Sequence, residues 1–143
     1  MQFNERLKNM RKRSKVTQKS ISEHLGVTLR TYQRYEEGTI EPPLATVSAI
    51  ADYFGVPVDC LIGNGIFSNW DEILLHREQI LLFLGKEVLS FPDGFDLSTL
   101  TEGILARILP ALFAKITFNG PEISIFPLLP VEAFPLSISS DGF

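Results

Sequence analysis

The first sixty residues alternate short amphipathic stretches with glycine or proline. Apolar positions recur there at three- and four-residue spacing, which predicts five short helices. The predicted helices cover residues 3–15, 18–25, 29–37, 44–54 and 58–62. Thr17 and Thr28 precede the second and third helices as N-cap candidates, and Gly26 follows the second as a left-handed C-cap candidate. The second and third helices are therefore predicted to form a helix-turn-helix unit.

The second half of the chain predicts two further helices, and both are strongly apolar. Residues 69–87 carry apolar side chains over too wide an arc for a helix that is covered on one side only. Residues 98–115 predict the second helix, in which Pro110 is expected to produce a kink.

A short β-hairpin is predicted after these helices. Residues 116–118 and 122–126 are expected to form two strands about the Asn119-Gly120 turn, although Pro121 disfavours a tight two-residue connection. The predicted fold class is therefore mainly α: five helices, followed by a small α+β region of two helices and a short hairpin.

A length of 143 residues suffices for two small domains. The Gly63-Asn64-Gly65 segment is a turn signal, and most phenylalanines and the one tryptophan lie beyond it. We therefore predict a helical domain over residues 1–63 and a hydrophobic, acidic domain over residues 66–143.

Charge is distributed unevenly between the two halves. The net charge is −4, but residues 1–64 carry nine Lys or Arg against seven Asp or Glu, and residues 65–143 carry four against ten. All nine basic residues of the first half lie within the first 34 residues, where only Glu5 and Glu23 oppose them. Such a basic stripe on an acidic chain is typical of a module that binds a polyanion.

The sequence offers no catalytic, metal or cofactor site that we can identify. Cys60 is a single cysteine, and His76 has no second ligand at usable spacing. Phosphate-cradling glycine loops and nucleophile elbows are absent from the sequence, so an enzyme is not expected. Residues 1–15 lack a signal-peptide pattern, and no apolar run approaches the roughly 20 residues of a membrane helix. A cytoplasmic protein is expected.

Several fixed spacings agree at once in the first 63 residues. They comprise Thr17-Gln18, Ser22 and Gly26-Val27, then Tyr32, Tyr35-Glu36 and Gly38, then Pro43, and finally Phe54-Gly55-Val56-Pro57-Val58 with Leu61-Ile62-Gly63. This pattern resembles the Cro/C1-type (XRE) helix-turn-helix family of DNA-binding domains over residues 3–63. The resemblance implies a lambda-repressor-like fold for this half. Ser22 is a departure, because the family usually has alanine packed under the turn.

The third helix is expected to read DNA bases. Tyr32 and Tyr35 lie three residues apart and are predicted to face the core, whereas Arg30 and Arg34 share the opposite face. The resemblance implies four positions that face the major groove, namely Thr28, Leu29, Arg30 and Arg34. Arginine is the usual bidentate partner of guanine, and Leu29 suits a thymine methyl group.

Contacts to DNA phosphates are expected on the first two helices. Gln18 matches the family's glutamine near a phosphate, where the helix N-terminus also points at the DNA backbone. Arg11 and Glu36 match a pair that is often salt-bridged in the family, which leaves the arginine able to touch phosphate as well. The expected phosphate contacts are Gln18, Lys19, Arg11, Arg6 and Lys12.

The apolar second half is expected to bind a second copy of the chain, since its two helices will struggle to cover their apolar surface alone. The dimerisation candidates are Trp70, Leu74, Leu81, Leu105 and Phe113. A two-fold dimer would place two recognition helices about 34 Å apart, one turn of DNA. The alternative for this half is a compact α+β core packed on the first domain.

These observations predict a sequence-specific DNA-binding transcriptional regulator. The form we expect is a homodimeric repressor that reads a palindromic operator in double-stranded DNA through residues 28–37. Two alternatives stay open. One is an antitoxin or adaptor whose second half binds a protein, and the other is a regulator with a small-molecule pocket in that half. A protein or small-molecule effector is not identified by the sequence.

Overall fold

The computed structural model describes residues 2–87, 91–128 and 136–139. The chain divides into two compact units, Met1–Asn64 and Gly65–Phe143. The fold is mainly helical, with a helix-turn-helix in the first unit and a small antiparallel sheet in the second, which confirms the predicted fold class.

The five predicted helices of the first unit all form. Their bounds are α1 Phe3–Arg13, α2 Gln18–Leu25, α3 Leu29–Glu37, α4 Leu44–Phe54 and α5 Val58–Ile62. One apolar side chain or more from each helix reaches a common core, and the most buried are Leu7, Met10, Ile21, Tyr32, Ile50 and Leu61. Burial of this shared core holds short helices that would be marginal in isolation.

Side-chain caps fix the start of both helices of the helix-turn-helix. The Thr17 hydroxyl accepts the Ser20 N–H at 3.0 Å, and the Thr28 hydroxyl accepts the Thr31 N–H at 3.1 Å. Gly26 ends α2 at a φ of 71°, a left-handed conformation that glycine adopts without a steric penalty. The predicted caps are confirmed.

Ser22 fits beneath the turn in spite of its hydroxyl group. Its side chain is buried, and its Oγ–H donates to the Lys19 carbonyl at 2.8 Å. Since the buried hydroxyl is hydrogen-bonded within its own helix, the departure from alanine leaves no unsatisfied polar atom at this position.

The second unit contains more breaks than the sequence predicts. Its helices are α6 Trp70–Leu75, α7 Arg77–Glu87 and α8 Glu102–Leu112, with 3-10 segments at Gly65–Asn69 and Leu97–Thr99. The single helix predicted over 69–87 is wrong, because His76 leaves the helical conformation at φ −107° and ψ 22°. A break is a physical solution for an apolar arc that one straight helix could not cover.

The helix predicted over 98–115 is too long at both ends. α8 ends at Leu112, and Phe113 begins a strand that includes Lys115. Pro110 lies in the last turn of α8, where its missing N–H removes a helical hydrogen bond. The β-branched residues that follow favour an extended conformation.

The sheet has the strand order β1-β2-β3, and neighbouring strands are antiparallel. The strands are β1 Phe113–Asn119, β2 Glu122–Pro127 and β3 Leu136–Ser139. Pro127, Pro130 and Pro135 predict an extended and irregular segment after the hairpin, so sequence reasoning misses the third strand. A register shift after Phe113 lets Phe113 and Ile116 both be buried although they are three residues apart.

The hairpin between β1 and β2 has a two-residue connection after all. Asn119 pairs with Glu122, so Gly120 and Pro121 form the loop, one residue later than the predicted Asn119-Gly120 turn. Gly120 takes a φ of 61° at the first loop position, which suits a mirror-image turn whose second position tolerates the negative φ of proline. The expectation that Pro121 disfavours a tight turn is therefore wrong.

Two side-chain hydrogen bonds join distant parts of the second unit. Asn69 Nδ2 donates to the Ile116 carbonyl at 2.6 Å, which satisfies a backbone acceptor on β1. Trp70 Nε1 donates to Glu102 Oε1 at 3.0 Å and links α6 to α8. Asn69 precedes α6 and Trp70 is its first residue, so the two hydrogen bonds fix this short helix at its N-terminal end.

Candidate nucleic-acid interface

The helix α3 has one face buried in the first unit. Tyr32 is fully buried, and Tyr35 and Glu36 are 5% and 6% exposed. The two tyrosine rings meet edge to face with centroids 6.2 Å apart. The prediction that both tyrosines face the core is confirmed, and their burial fixes the rotation of α3 about its axis.

The four candidate base-contacting residues are all exposed. Thr28 caps the helix, and Leu29, Arg30 and Arg34 follow on its solvent side. Leu29 is 40% exposed although it is a large apolar residue. Since Arg30 and Arg34 are four residues apart on a helix, their side chains leave the same face. All four side chains are thus accessible, and Arg30 and Arg34 share one face of α3.

The Glu36 carboxylate is the centre of a buried hydrogen-bond network. Arg11 donates to it through Nε and through Nη2, the latter at 3.2 Å from Oε2. Gln18 Nε2 donates at 2.8 Å and the Tyr32 hydroxyl at 2.9 Å. The remaining Arg11 nitrogen, Nη1, donates to the Val16 carbonyl at 3.0 Å. The network joins α1, the start of α2 and the end of α3.

The network holds its carboxylate and guanidinium in their charged forms. Burial tends to raise the pKa of Glu36, but the hydrogen bonds from Arg11, Gln18 and Tyr32 outweigh it and the pKa is lowered. The hydrogen bond to Glu36 raises the pKa of Arg11. Burial, together with the neighbouring Glu36 charge, raises the pKa of the Tyr32 phenol. The pair is therefore ionised at neutral pH, with the Tyr32 phenol as a neutral donor.

The candidate phosphate contacts fall into two groups. Lys12 and Lys19 are exposed, whereas Arg11 and Gln18 are partly buried and hydrogen-bonded to Glu36. The Arg11–Glu36 salt bridge that the family resemblance implies is present. The Arg11 side chain is 13% exposed, so little of it is accessible to DNA.

Arg6 is held against the end of α5. A Cβ atom on Gly63 would lie 2.3 Å from Arg6 Cζ, so the guanidinium occupies the space that any other residue at position 63 would fill. Gly63 also has a φ of 80°, which disfavours a side chain independently. Arg6 is consequently packed within the first unit, and its exposure is intermediate.

Glu37 is a feature of this surface that sequence reasoning missed. Its Oε1 lies 3.2 Å from Arg30 Nη1, and the two side chains are 47% and 61% exposed. The available signal was the seven-residue spacing, which places both residues on one face two turns apart. Among the residues that the structure describes, Arg34 makes no comparable ion pair.

The dimerisation candidates lie mostly inside the second unit. Trp70, Leu81, Leu105 and Phe113 are 1–3% exposed, and Leu74 is partly buried. In the single chain these residues form the core of their own unit. Large apolar side chains that are exposed in the described part of this unit are Leu75, Leu82, Phe95, Ile104 and Leu128.

The second unit also has a cleft of about 590 Å³ beside α7. Its charged lining residues are Arg77, Glu78 and Asp96, and the others are Leu81, Phe95, Leu97 and Ser98. Arg77 Nη2 donates to the Leu100 carbonyl at 2.7 Å. The mixed lining suits a small polar molecule with an apolar part.

The part of the chain that the structure describes contains neither a metal-binding cluster nor a membrane-spanning helix. No group of three or more His, Cys, Asp or Glu stands close enough to hold a metal ion in the described ranges. Across those same ranges, none of the helices has the length and apolar character needed to span a membrane.

Comparisons with known proteins agree with this geometry. The family described as Helix-turn-helix matches residues 7–59. The cryptic phage CTXphi transcriptional repressor RstR of Vibrio cholerae is 30% identical over 105 residues, which cover 73% of this chain and 89% of that protein. No solved structure matches the chain significantly.

Two proteins of Bacillus subtilis (strain 168) are also similar. The SPbeta prophage-derived uncharacterized HTH-type transcriptional regulator YonR is 35% identical over 80 residues, 55% of this chain and 74% of that one. The uncharacterized HTH-type transcriptional regulator YobD is 28% identical over 111 residues, 78% of this chain and 96% of that one. Matches of 105 and 111 residues extend beyond the first unit. The chain belongs to the Cro/C1-type (XRE) helix-turn-helix family of DNA-binding transcriptional regulators.

Proposed function

We propose that this helix-turn-helix regulator is a repressor that recognises a specific double-stranded DNA sequence through α3. The observation that carries the proposal is the division of α3 into two faces. Tyr32, Tyr35 and Glu36 anchor one face, while the groove-facing candidates lie on the exposed side. A helix with one anchored face and one accessible face can enter the major groove without disturbing the core. The protein would act in the cytoplasm, by binding rather than by catalysis.

Base recognition is assigned to Thr28, Leu29, Arg30 and Arg34. Each arginine would donate two N–H groups to guanine O6 and N7, and Leu29 would contact a thymine methyl group. The four side chains are exposed before DNA binds, which supports this assignment because no repacking of the core is needed. We therefore expect one or two G·C pairs in each half-site.

Phosphate contacts would set the position of α3 in the groove. Lys12 and Lys19 are the exposed candidates and require no rearrangement to reach the DNA backbone. Gln18 would donate one amide N–H to a phosphate while the other stays on Glu36. Arg6 and Arg11 would contribute mainly through their charge, since their guanidinium groups are engaged within the unit.

The regulator would act as a homodimer through its second unit. The support is the exposed apolar set of that unit, in which Leu75 is 78% exposed and Leu128 53%. Two-fold symmetric dimers are the commonest oligomers, and two-fold symmetry matches a palindromic operator. The buried candidates would support the interface by fixing the core beneath it. They are Trp70, Leu81, Leu105 and Phe113. Light scattering should give the mass of a dimer, and Leu75→Glu is the variant that tests the interface.

A binding-site selection tests the proposal as a whole. Purified full-length protein is offered random duplex DNA, and bound molecules are amplified and sequenced over several rounds. Enrichment of a palindrome with G·C pairs in each half-site is the expected result. If no sequence is enriched, the helix-turn-helix does not read an operator, and co-purification of a stoichiometric protein would then favour the antitoxin or adaptor role.

Effector sensing is a second candidate function, and the cleft beside α7 favours it. Its mixed lining and its volume of about 590 Å³ suit a small molecule. A molecule that binds there should raise the Tm of the full chain and change its operator affinity. Ser98 lines the cleft, so Ser98→Trp would fill part of it with an indole ring. This variant should lose both effects while keeping the operator affinity of the unliganded protein.

A further inference from the structure

We propose that Glu37 is a specificity-determining residue, because its carboxylate holds Arg30 when no guanine is within reach and so keeps Arg30 off DNA phosphates. The inference rests on the proposed function, in which Arg30 lies in the major groove. It adds an acidic residue to a surface for which only neutral and basic residues have been assigned roles.

The Glu37 carboxylate lies on the solvent-exposed side of α3, next to Arg30. Arg30 and Glu37 are separated by two helical turns, and Arg30 Nη1 lies 3.2 Å from Glu37 Oε1. Both side chains are well exposed, at 61% and 47%. The pair therefore lies at the surface that approaching DNA would cover, unlike the buried Arg11–Glu36 pair.

The Arg30 guanidinium keeps N–H groups for a guanine while it is paired with Glu37. It carries five N–H groups, and Glu37 accepts a hydrogen bond from Nη1, which has two of them. Bidentate recognition of guanine O6 and N7 can use two of the others. A DNA phosphate that approaches Arg30, by contrast, is repelled by the neighbouring Glu37 charge.

The ion pair is weak compared with the recognition of a correct base. An exposed ion pair changes an equilibrium constant by at most about fivefold. A good bidentate pair discriminates against a wrong base by about 5- to 150-fold, so Glu37 reduces guanine recognition little. A single phosphate contact carries no such geometric advantage. Glu37 thus suppresses the sequence-independent use of Arg30 more than the sequence-specific use.

Arg34 provides an internal comparison. It leaves the same face of α3, and within the described part of the chain it has no ion pair like that of Arg30. Glu37 should therefore affect discrimination at the base pair that Arg30 contacts. Discrimination at the base pair that Arg34 contacts should be unchanged.

The test compares Glu37→Gln with a charge-matched control in the full-length protein. Asp52→Asn removes the same charge from an exposed position near the end of α4. Affinities are measured by fluorescence anisotropy on the selected operator and on a random duplex, across a range of salt concentrations. Thermal unfolding verifies that both variants fold.

We expect Glu37→Gln to bind random duplex about twofold to fivefold more tightly than the control, which is the range of an exposed ion pair. Operator affinity should rise less, so the ratio of specific to non-specific affinity falls. The salt dependence on random DNA should steepen by about one phosphate contact, a slope change of about −0.9. In an Arg30→Ala background, Glu37→Gln should change the affinities for operator and random duplex by no more than Asp52→Asn does.

Three results would overturn the inference. If Glu37→Gln has the same ratio of specific to non-specific affinity as Asp52→Asn, Glu37 has no part in discrimination. A selective loss of operator affinity would mean that Glu37 itself accepts a hydrogen bond from a base such as cytosine. Both leave the proposed function intact. If the unsubstituted protein itself has no sequence preference, the proposed function fails and the inference fails with it.

Discussion

Arg11 on α1 and Glu36 on α3 form an ion pair whose carboxylate is almost inaccessible to solvent, with the Glu36 side chain 3% exposed. The pair connects the helix that is expected to contact phosphate with the helix that is expected to read bases. Arg11→Met keeps most of the side-chain volume but leaves the carboxylate without its counter-charge. We expect this variant to lose about 3 kcal/mol of unfolding free energy, as for other broken buried pairs.

Urea unfolding followed by circular dichroism measures this loss. Lys12→Met is the matched control, since Lys12 is the exposed neighbour of Arg11 on the same helix. Equal stability of the two variants would contradict a structural role for the Arg11–Glu36 pair.

The pH dependence of stability should reveal the same carboxylate. The hydrogen bonds from Arg11, Gln18 and Tyr32 lower the pKa of Glu36 below its ordinary value of 4.5 against the opposing effect of burial. A lowered pKa in the folded state means that the stabilisation is complete above about pH 4.5 and is lost as the pH falls through the folded-state value.

Comparison with Glu36→Gln isolates this contribution from those of other carboxylates. The variant should be less stable than the unsubstituted protein at pH 7, and the difference should shrink below about pH 4.5. A difference that stays constant from pH 7 to pH 3 would show that ionised Glu36 contributes nothing to stability.

Ser22 is a position where a departure from the family pattern should have little energetic effect. Its hydroxyl donates to a carbonyl of its own helix, so Ser22→Ala removes donor and hydrogen bond together. We expect a change in unfolding free energy within about 0.5 kcal/mol. Ser22→Val should cost about 1–3 kcal/mol through overpacking beneath the turn. Equal stabilities of the alanine and valine variants would mean that the site is not tightly packed.

Lys19 and Arg34 should affect DNA binding in different ways. Lys19→Ala should weaken binding to all sequences alike and reduce the slope of log affinity against log salt by about one. Arg34→Ala should weaken binding mainly to the operator, by about 1–3 kcal/mol. Anisotropy titrations on operator and random duplex distinguish the two. The assignment of phosphate and base contacts fails if the two variants change the operator-to-random ratio equally.

Asn69 should be a stabilising residue of the second unit. Its amide donates to the Ile116 carbonyl at 2.6 Å, and Asn69→Ala leaves this partly buried acceptor without that donor. The expected loss is about 1–3 kcal/mol of unfolding free energy. Asn64→Ala is the control, because its hydrogen bond to Asp59 is long, at 3.3 Å, and exposed. A loss no larger than that of Asn64→Ala would show that the β1 carbonyl is satisfied in another way.

The first unit could be predicted from sequence because its signals are local. Thr17 and Thr28 cap their helices, and Gly26 ends α2, each within four residues of the group it satisfies. The burial of Tyr32 and Tyr35 followed from their spacing on one helix. The Arg30–Glu37 pair was missed because an ion pair seven residues apart depends on side-chain conformations that spacing alone does not fix.

The second unit was harder to predict because its structure depends on contacts distant in sequence. The break at His76 cannot be read from the apolar pattern around it, which continues on both sides. Strand β3 forms by pairing with β2. Its four residues, Leu136–Ser139, carry no strong local sequence signal for a strand. The dimerisation candidates are large and apolar, and the same properties place Trp70 and Phe113 in the core.

The most direct measurement of the central claim is the affinity of the Arg30→Ala, Arg34→Ala double variant for the selected operator and for the same operator with its G·C pairs replaced. The unsubstituted protein should prefer the intact operator, and the double variant should bind both duplexes with nearly equal, salt-dependent affinity. Unchanged discrimination in the double variant would contradict the claim that α3 reads the operator through these two arginines.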